Sequence, residues 1–204
     1  MNRNMSPLFA LPIIFLLFIA SCGTTLTNVW KDENYRGRPF KKVFVIAALP
    51  DPAIKGFLEG KVVSQLEGHE TDSVTSSTLF PSHFTPDKEI ISSKIREVGA
   101  EAVLILRFIK IGKEEMYAPA EKFTIPTLYY DWYSYYSSFK HTNTPGYKDS
   151  NYSALMEATL YDTKDEKLVW FAGSRVEIPT CDCEVVISFI KAAVYKLASD
   201  QLIK

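Results

Sequence analysis

Two short apolar runs constrain this 204-residue chain more than any other feature: Lys41–Ala48 (KKVFVIAA) and Glu101–Phe108 (EAVLILRF). Runs of this length without alternation are the pattern of strands buried on both faces, the signature of a parallel sheet covered by helices. The intervening segment fits that role. Leu49-Pro50-Asp51-Pro52 breaks the first run and can open a helix, since proline is tolerated in a first turn. Ile54, Phe57, Leu58, Val62 and Leu66 then fall on one helical face, and Gly68 stands where the helix would stop. Thr71–Ser77 is polar and β-branched, the composition of an edge strand, and Leu79–Pro86 is a loop with two prolines. A second helix is predicted with Thr85 as cap, Pro86 in its first turn, and Asp87 and Glu89 at its positive end. Ile91, Ile95 and Val98 stripe it and Gly99 ends it. Strand, helix, strand, helix, strand in such short compass implies parallel strands joined by right-handed crossovers.

The pattern changes after Gly112. Residues 113–149 are charged, proline-bearing and rich in Tyr and Ser, too long a stretch for a structureless loop, so an extended hairpin or flap is expected. Alternation returns at Tyr152, Ala154, Met156, Ala158 and Leu160. After a polar turn it resumes at Leu168, Trp170, Ala172, Ser174 and Val176, which makes an antiparallel hairpin. A last amphipathic helix starts near Cys183 and carries Val186, Phe189, Ile190, Ala193, Val194 and Leu197. The expected fold class is therefore α/β. Its mixed sheet has a parallel βαβαβ first half, an antiparallel C-terminal hairpin, a Tyr-rich flap and a closing helix. Residues 40–204 form one domain, with 22–39 as a polar tether on which Val29 and Trp30 dock back.

Residues 1–21 belong to no fold. One cation, Arg3, precedes a 13-residue apolar run from Leu8 to Ala20, interrupted by Pro12. A spanning helix needs about 20 apolar residues, whereas a secretory signal needs 7–15 followed by small residues. Ile19-Ala20-Ser21-Cys22 resembles the lipobox of bacterial lipoproteins. The thiol of Cys22 is a nucleophile that accepts a diacylglyceryl group, and small residues before it admit the chain to a peptidase. The resemblance implies cleavage between Ser21 and Cys22 and acylation of the new terminus, with palmitate-type chains holding the protein to membrane lipid. Gly23 stands where Asp would resemble an inner-membrane retention signal in enterobacteria, which points to the outer membrane.

KKVFVIA, VGAEAVLIL, ATLYDTKDEKLVW and the closing helix, spread over residues 40–203, resemble a large family of uncharacterised bacterial lipoproteins. Their domain is similar to the amino-terminal domain of TolB and to the periplasmic domain of the curli-secretion lipoprotein. The family tends to carry a Tyr-rich insert between its third strand and its last hairpin. The resemblance implies a cell-envelope accessory or assembly role and transfers no activity.

Two features could carry chemistry. Cys181 and Cys183 flank Asp182. They could form a strained, redox-labile bridge in an oxidising compartment, stay as two thiols without a role, or bind metal, though two ligands are too few for structural zinc. His69, His83 and His141 are scattered and add no ligand pair. The second feature is aromatic: seven of the eleven residues from Tyr129 to Phe139 are Tyr, Trp or Phe. Tyr129, Tyr130, Trp132, Tyr133, Tyr135 and Tyr136 could pack on their own sheet, form a protein-contact surface, or stack on sugar rings. No G-x-S-x-G elbow, phosphate loop or H-E-x-x-H is present, and Asp162, Asp165 and Glu166 are explained as turn residues. A net charge of −1 argues against nucleic-acid binding. The expectation is a non-enzymatic, lipid-anchored protein facing the periplasm, without cofactor or metal, that contacts an envelope protein. The alternative is a thiol redox or metal-binding protein working through Cys181 and Cys183.

Overall fold

A computed structural model describes residues 25–80, 87–111, 131–138, 152–178 and 183–204. The chain has an α/β fold with one six-stranded mixed sheet. In chain order the elements are β1 (Asn28–Lys31), β2 (Lys42–Ala48), α1 (Pro52–Glu67), β3 (Asp72–Thr75), α2 (Ser76–Leu79), α3 (Lys88–Glu97) and β4 (Ala102–Ile111). These are followed by α4 (Trp132–Ser138), β5 (Tyr152–Asp162), β6 (Leu168–Ile178) and α5 (Cys183–Ser199). Across the sheet the order is β1-β6-β5-β4-β2-β3. β2 pairs in parallel with both β3 and β4, and β5 and β6 form the antiparallel hairpin expected from their alternation.

Alternate side chains of the strands feed two cores. On one face Val43, Val45, Leu104, Leu106, Met156 and Trp170 pack with Leu58, Val62 and Leu66 of α1 and Phe189, Ile190 and Val194 of α5. On the other, Phe44, Ile46, Val103, Ile105 and Tyr161 meet Ile91 and Ile95 of α3 and Trp132 and Tyr135 of α4. Asp200 ties α5 to the far edge: it accepts from Trp170 Nε1 at 2.9 Å through its carboxylate and from Lys31 Nζ at 2.6 Å through its carbonyl.

Several local expectations are corrected. Within the expected hairpin or flap at 113–149, the described part of the aromatic run is helical, and the rest of that stretch lies outside the described residues. Asp131 accepts from the amides of Tyr133 and Ser134, both at 2.9 Å, and this cap starts a turn that burial of Trp132 and Tyr135 sustains. Asp87, not Thr85, caps α3 by accepting from the Ile90 amide at 3.0 Å. The edge strand stops at Thr75, whose hydroxyl caps α2. Within the expected tether, Asn28–Lys31 is β1, paired with β6 from Gly173 to Trp170.

The stripe of α1 also differs from expectation. Leu58, Val62 and Leu66 are buried, but Ile54 and Phe57 are exposed, and Glu59 is fully buried in their place. Glu59 accepts from the amide of Ala47, the next-to-last residue of β2, so the first turns of α1 overhang the end of that strand. Gly68 keeps right-handed geometry (φ −61°), and Glu70 takes the left-handed position with φ 50°. The same terminal motif closes α3 at Gly99 (φ 67°) and α5 at Gln201 (φ 60°). In each, the following amide reaches back five residues: Thr71 to Leu66, Ala100 to Ile95, Leu202 to Leu197.

Candidate functional site at the carboxyl end of the parallel strands

Open α/β sheets place their sites beyond the carboxyl ends of parallel strands, where successive crossovers diverge. Here that point lies between β2 and β4, because the chain passes from β2 to β3 on one side and then to β4 on the other. Ala48 and Arg107 are paired there.

Arg107 lies opposite Glu157 of β5, on the face otherwise lined by Val103, Ile105 and Tyr161. The two side chains are 11% and 12% exposed, and Arg107 Nη1 stands 3.5 Å from Glu157 Oε2. Tyr135 of α4 closes over them. Its ring centroid is 4.5 Å from the guanidinium carbon, and its hydroxyl donates to Glu157 Oε2 at 2.6 Å. The guanidinium thus meets both a carboxylate and an aromatic face, which compensates its removal from water. Burial first, and the Glu157 carboxylate second, push the Tyr135 phenol well above its ordinary value of 10, against the opposing pull of Arg107. The phenol therefore stays protonated and keeps donating.

A second bridge holds the start of α4. Lys88, at the amino end of α3, lies 3.5 Å from Asp131 and 2.6 Å from Glu166 of the β5–β6 turn. Burial opposes the charge on Asp131, but the Ser134 amide and hydroxyl, with Lys88, outweigh it and lower the carboxyl. For Lys88 too, burial opposes the charge and the two carboxylates prevail, raising the ammonium.

Beside this clamp is Glu59. Its Oε1 accepts from the Ala47 amide at 3.0 Å and from Ser76 Oγ at 2.6 Å, while Oε2 accepts from the Ser77 amide at 2.9 Å. One carboxylate therefore joins α1, β2 and α2. Tyr136 is half-buried nearby, its phenol raised by burial and then by Tyr133 and the Glu59 carboxylate.

Of the aromatic residues singled out in the sequence, Trp132 and Tyr135 are core, and Tyr133 and Tyr136 are half-buried. Tyr133 stands edge-on to Trp132 at 5.6 Å and 6.2 Å from Tyr136. Tyr129 and Tyr130 lie outside the described residues, as do Ser21, Cys22 and Cys181. Cys183 is the first residue of α5, its side chain outside the description. Asp162 and Asp165 accept from the amides of Lys164 and Lys167, as turn residues do. Among the described residues no group of three or more His, Cys, Asp or Glu could hold a metal ion, and no helix is long and apolar enough to cross a membrane.

Sequence reasoning missed Arg107, Glu157, Glu59 and Lys88. The signal for the pair was a charge at an inward position of two facing strands, opposite in sign. For Glu59 it was a carboxylate beside Leu58 in a helix face that is otherwise apolar. Chemically, Arg107 with Glu157, and Lys88 with Asp131, fix α4 against the sheet, while Glu59 ties α1 to β2 and α2.

No family model matches the chain, and none of the curated proteins matches it in sequence. Among solved structures it is similar to the PelC dodecamer from Paraburkholderia phytofirmans. A point variant of PelC is 13% identical with a TM-score of 0.44, covering 82% of this chain and 94% of that one. A second PelC structure is also 13% identical, with a TM-score of 0.43 and coverage of 87% and 98%. Lipoprotein GNA1162 from Neisseria meningitidis is 11% identical, with a TM-score of 0.40 and coverage of 78% and 96%.

Proposed function

We propose that the chain is a lipid-anchored envelope protein without catalytic activity. It is cleaved between Ser21 and Cys22, acylated on Cys22, and held on the periplasmic side of the outer membrane. There it presents the half-buried Tyr133 and Tyr136 to another envelope component. The lipobox Ile19-Ala20-Ser21-Cys22 carries this reading. It is supported by the way the folded domain takes up the chain three residues later. Ser174 Oγ donates to the Thr25 carbonyl at 2.9 Å, and the Thr27 amide donates to the Gly173 carbonyl at 2.9 Å. The clamp on α4 favours a contact role, because a helix held at its start by Lys88 and at its middle through Tyr135 offers its aromatic side chains at a reduced ordering cost on binding.

Cys22→Ala tests the anchor. The variant is expected to retain its signal segment, to incorporate no labelled palmitate and to leave the acylated membrane fraction. A variant that matures to the wild-type mass and still fractionates with membranes overturns the reading. For α4, a photo-crosslinking residue at Tyr133 in intact cells is expected to give a discrete adduct that the same residue at Tyr195 does not. Equal adducts from both positions would remove α4 from the proposal.

A further inference from the structure

The exposed apolar side chains of α1 collect at one end of the molecule. Ile54 is 52% and Phe57 47% exposed, in the overhanging first turns of a helix whose later turns are buried. Lys61 Nζ stands 5.1 Å from the Phe57 ring centroid, and the half-buried Lys55 follows Ile54. The strand directions show what else is at that end. β2, β4 and β6 run toward that end and β5 and β1 run from it; Asn28, where β1 starts, is level with Ala48, where β2 stops, through Gly173, Glu157 and Arg107, and β4, β5 and β6 continue four to five residues further. Thr25, held by Ser174, precedes β1. Cys22 is three residues upstream of Thr25, at most about 11 Å away along a fully extended chain.

We propose that this end of the domain docks on the bilayer that holds Cys22. Ile54 and Phe57 enter the boundary between headgroups and acyl chains, with Lys55 and Lys61 beside the phosphates. The inference rests on the acylation of Cys22 proposed above. A leash this short keeps the domain at the surface. Asn28 and Ala48 lie on one row of the sheet, so the offset from β1 to β2, four strand spacings or about 19 Å, runs across the strands rather than along them. Apolar side chains bordered by lysines are the interfacial pattern. Once the acyl chains fix the domain, insertion is intramolecular, so two side chains are enough where they would not recruit a free protein.

The test uses the full, acylated protein with Cys181→Ser and Cys183→Ser and a single new cysteine at Ile54, Phe57 or Tyr195, carrying a fluorescent label. Tyr195 is 69% exposed near the far end of α5, so it serves as the control. The protein is reconstituted into phosphatidylethanolamine–phosphatidylglycerol vesicles containing acyl-chain nitroxide lipid. Labels at 54 and 57 are expected to be quenched by the nitroxide and to become several-fold less accessible to aqueous iodide, with neither change at 195. Protein that floats with the vesicles while 54 and 57 stay open to iodide overturns the docking and leaves the anchor standing. Shielding from iodide without nitroxide quenching also overturns it, since a protein surface then covers the patch. Failure to float removes the anchor and the docking together.

Discussion

Truncating Glu59 removes the only acceptor that the described contacts give to three donors at once: the Ala47 amide, the Ser76 hydroxyl and the Ser77 amide. A buried donor left without a partner costs about 1–3 kcal/mol. The Ser76 hydroxyl can turn to another acceptor, and Ser77 is near solvent, so the Ala47 amide bears the full penalty. The expected loss for Glu59→Ala is about 3–4 kcal/mol, a large share of the 5–15 kcal/mol that holds a typical domain. For a chain of this size that lowers the melting temperature by about 10 °C. Glu59→Gln separates hydrogen bonding from volume. Its amide oxygen can serve Ala47 and Ser76, but its NH2 then faces the Ser77 amide, so the loss is about 1–2 kcal/mol or about 4 °C. Thermal unfolding followed by far-UV circular dichroism measures both. A shift below about 2 °C for the alanine variant, or equal shifts for the two, would refute the view that this carboxylate joins α1, β2 and α2.

Other consequences are equally direct. Glu157→Leu leaves the Arg107 charge facing an apolar group and should cost about 3–5 kcal/mol, whereas Arg107→Met with Glu157→Leu should recover most of it; urea midpoints decide. The Tyr135 phenol has its folded pKa raised above the unfolded value, so its contribution is complete below about pH 10 and is lost as pH rises through the folded value. The stability gap between wild type and Tyr135→Phe should therefore stay constant up to about pH 10 and then close; a gap already closing at pH 8 contradicts this. Gln201→Gly should raise stability by about 1 kcal/mol, because glycine takes the left-handed position at the end of α5 without the Cβ penalty. If anchoring and contact are the working functions, Cys181→Ser with Cys183→Ser should fractionate and crosslink as wild type does. Loss of either property would favour a thiol role.

Apolar patterning by itself determined the α/β class, the parallel β2-β3-β4 core, the β5–β6 hairpin and α5, because buried strands and amphipathic helices write their periods directly into the chain. What it left undetermined depended on where each element ends relative to the others. The row from Ile54 to Leu66 is continuous in sequence, yet its first turn is exposed because β2 stops short of it, a length set by packing. Tyr and Ser have no strong helix preference, so Trp132–Ser138 is helical because the Asp131 cap and the apolar face of the sheet make it so. Asn28–Lys31 is only four residues long, and the open edge of β6 turns it into a strand. The Arg107–Glu157–Tyr135 clamp joins three segments distant in sequence, and its meaning comes from register: a one-residue slip of β5 would send Glu157 to the opposite face.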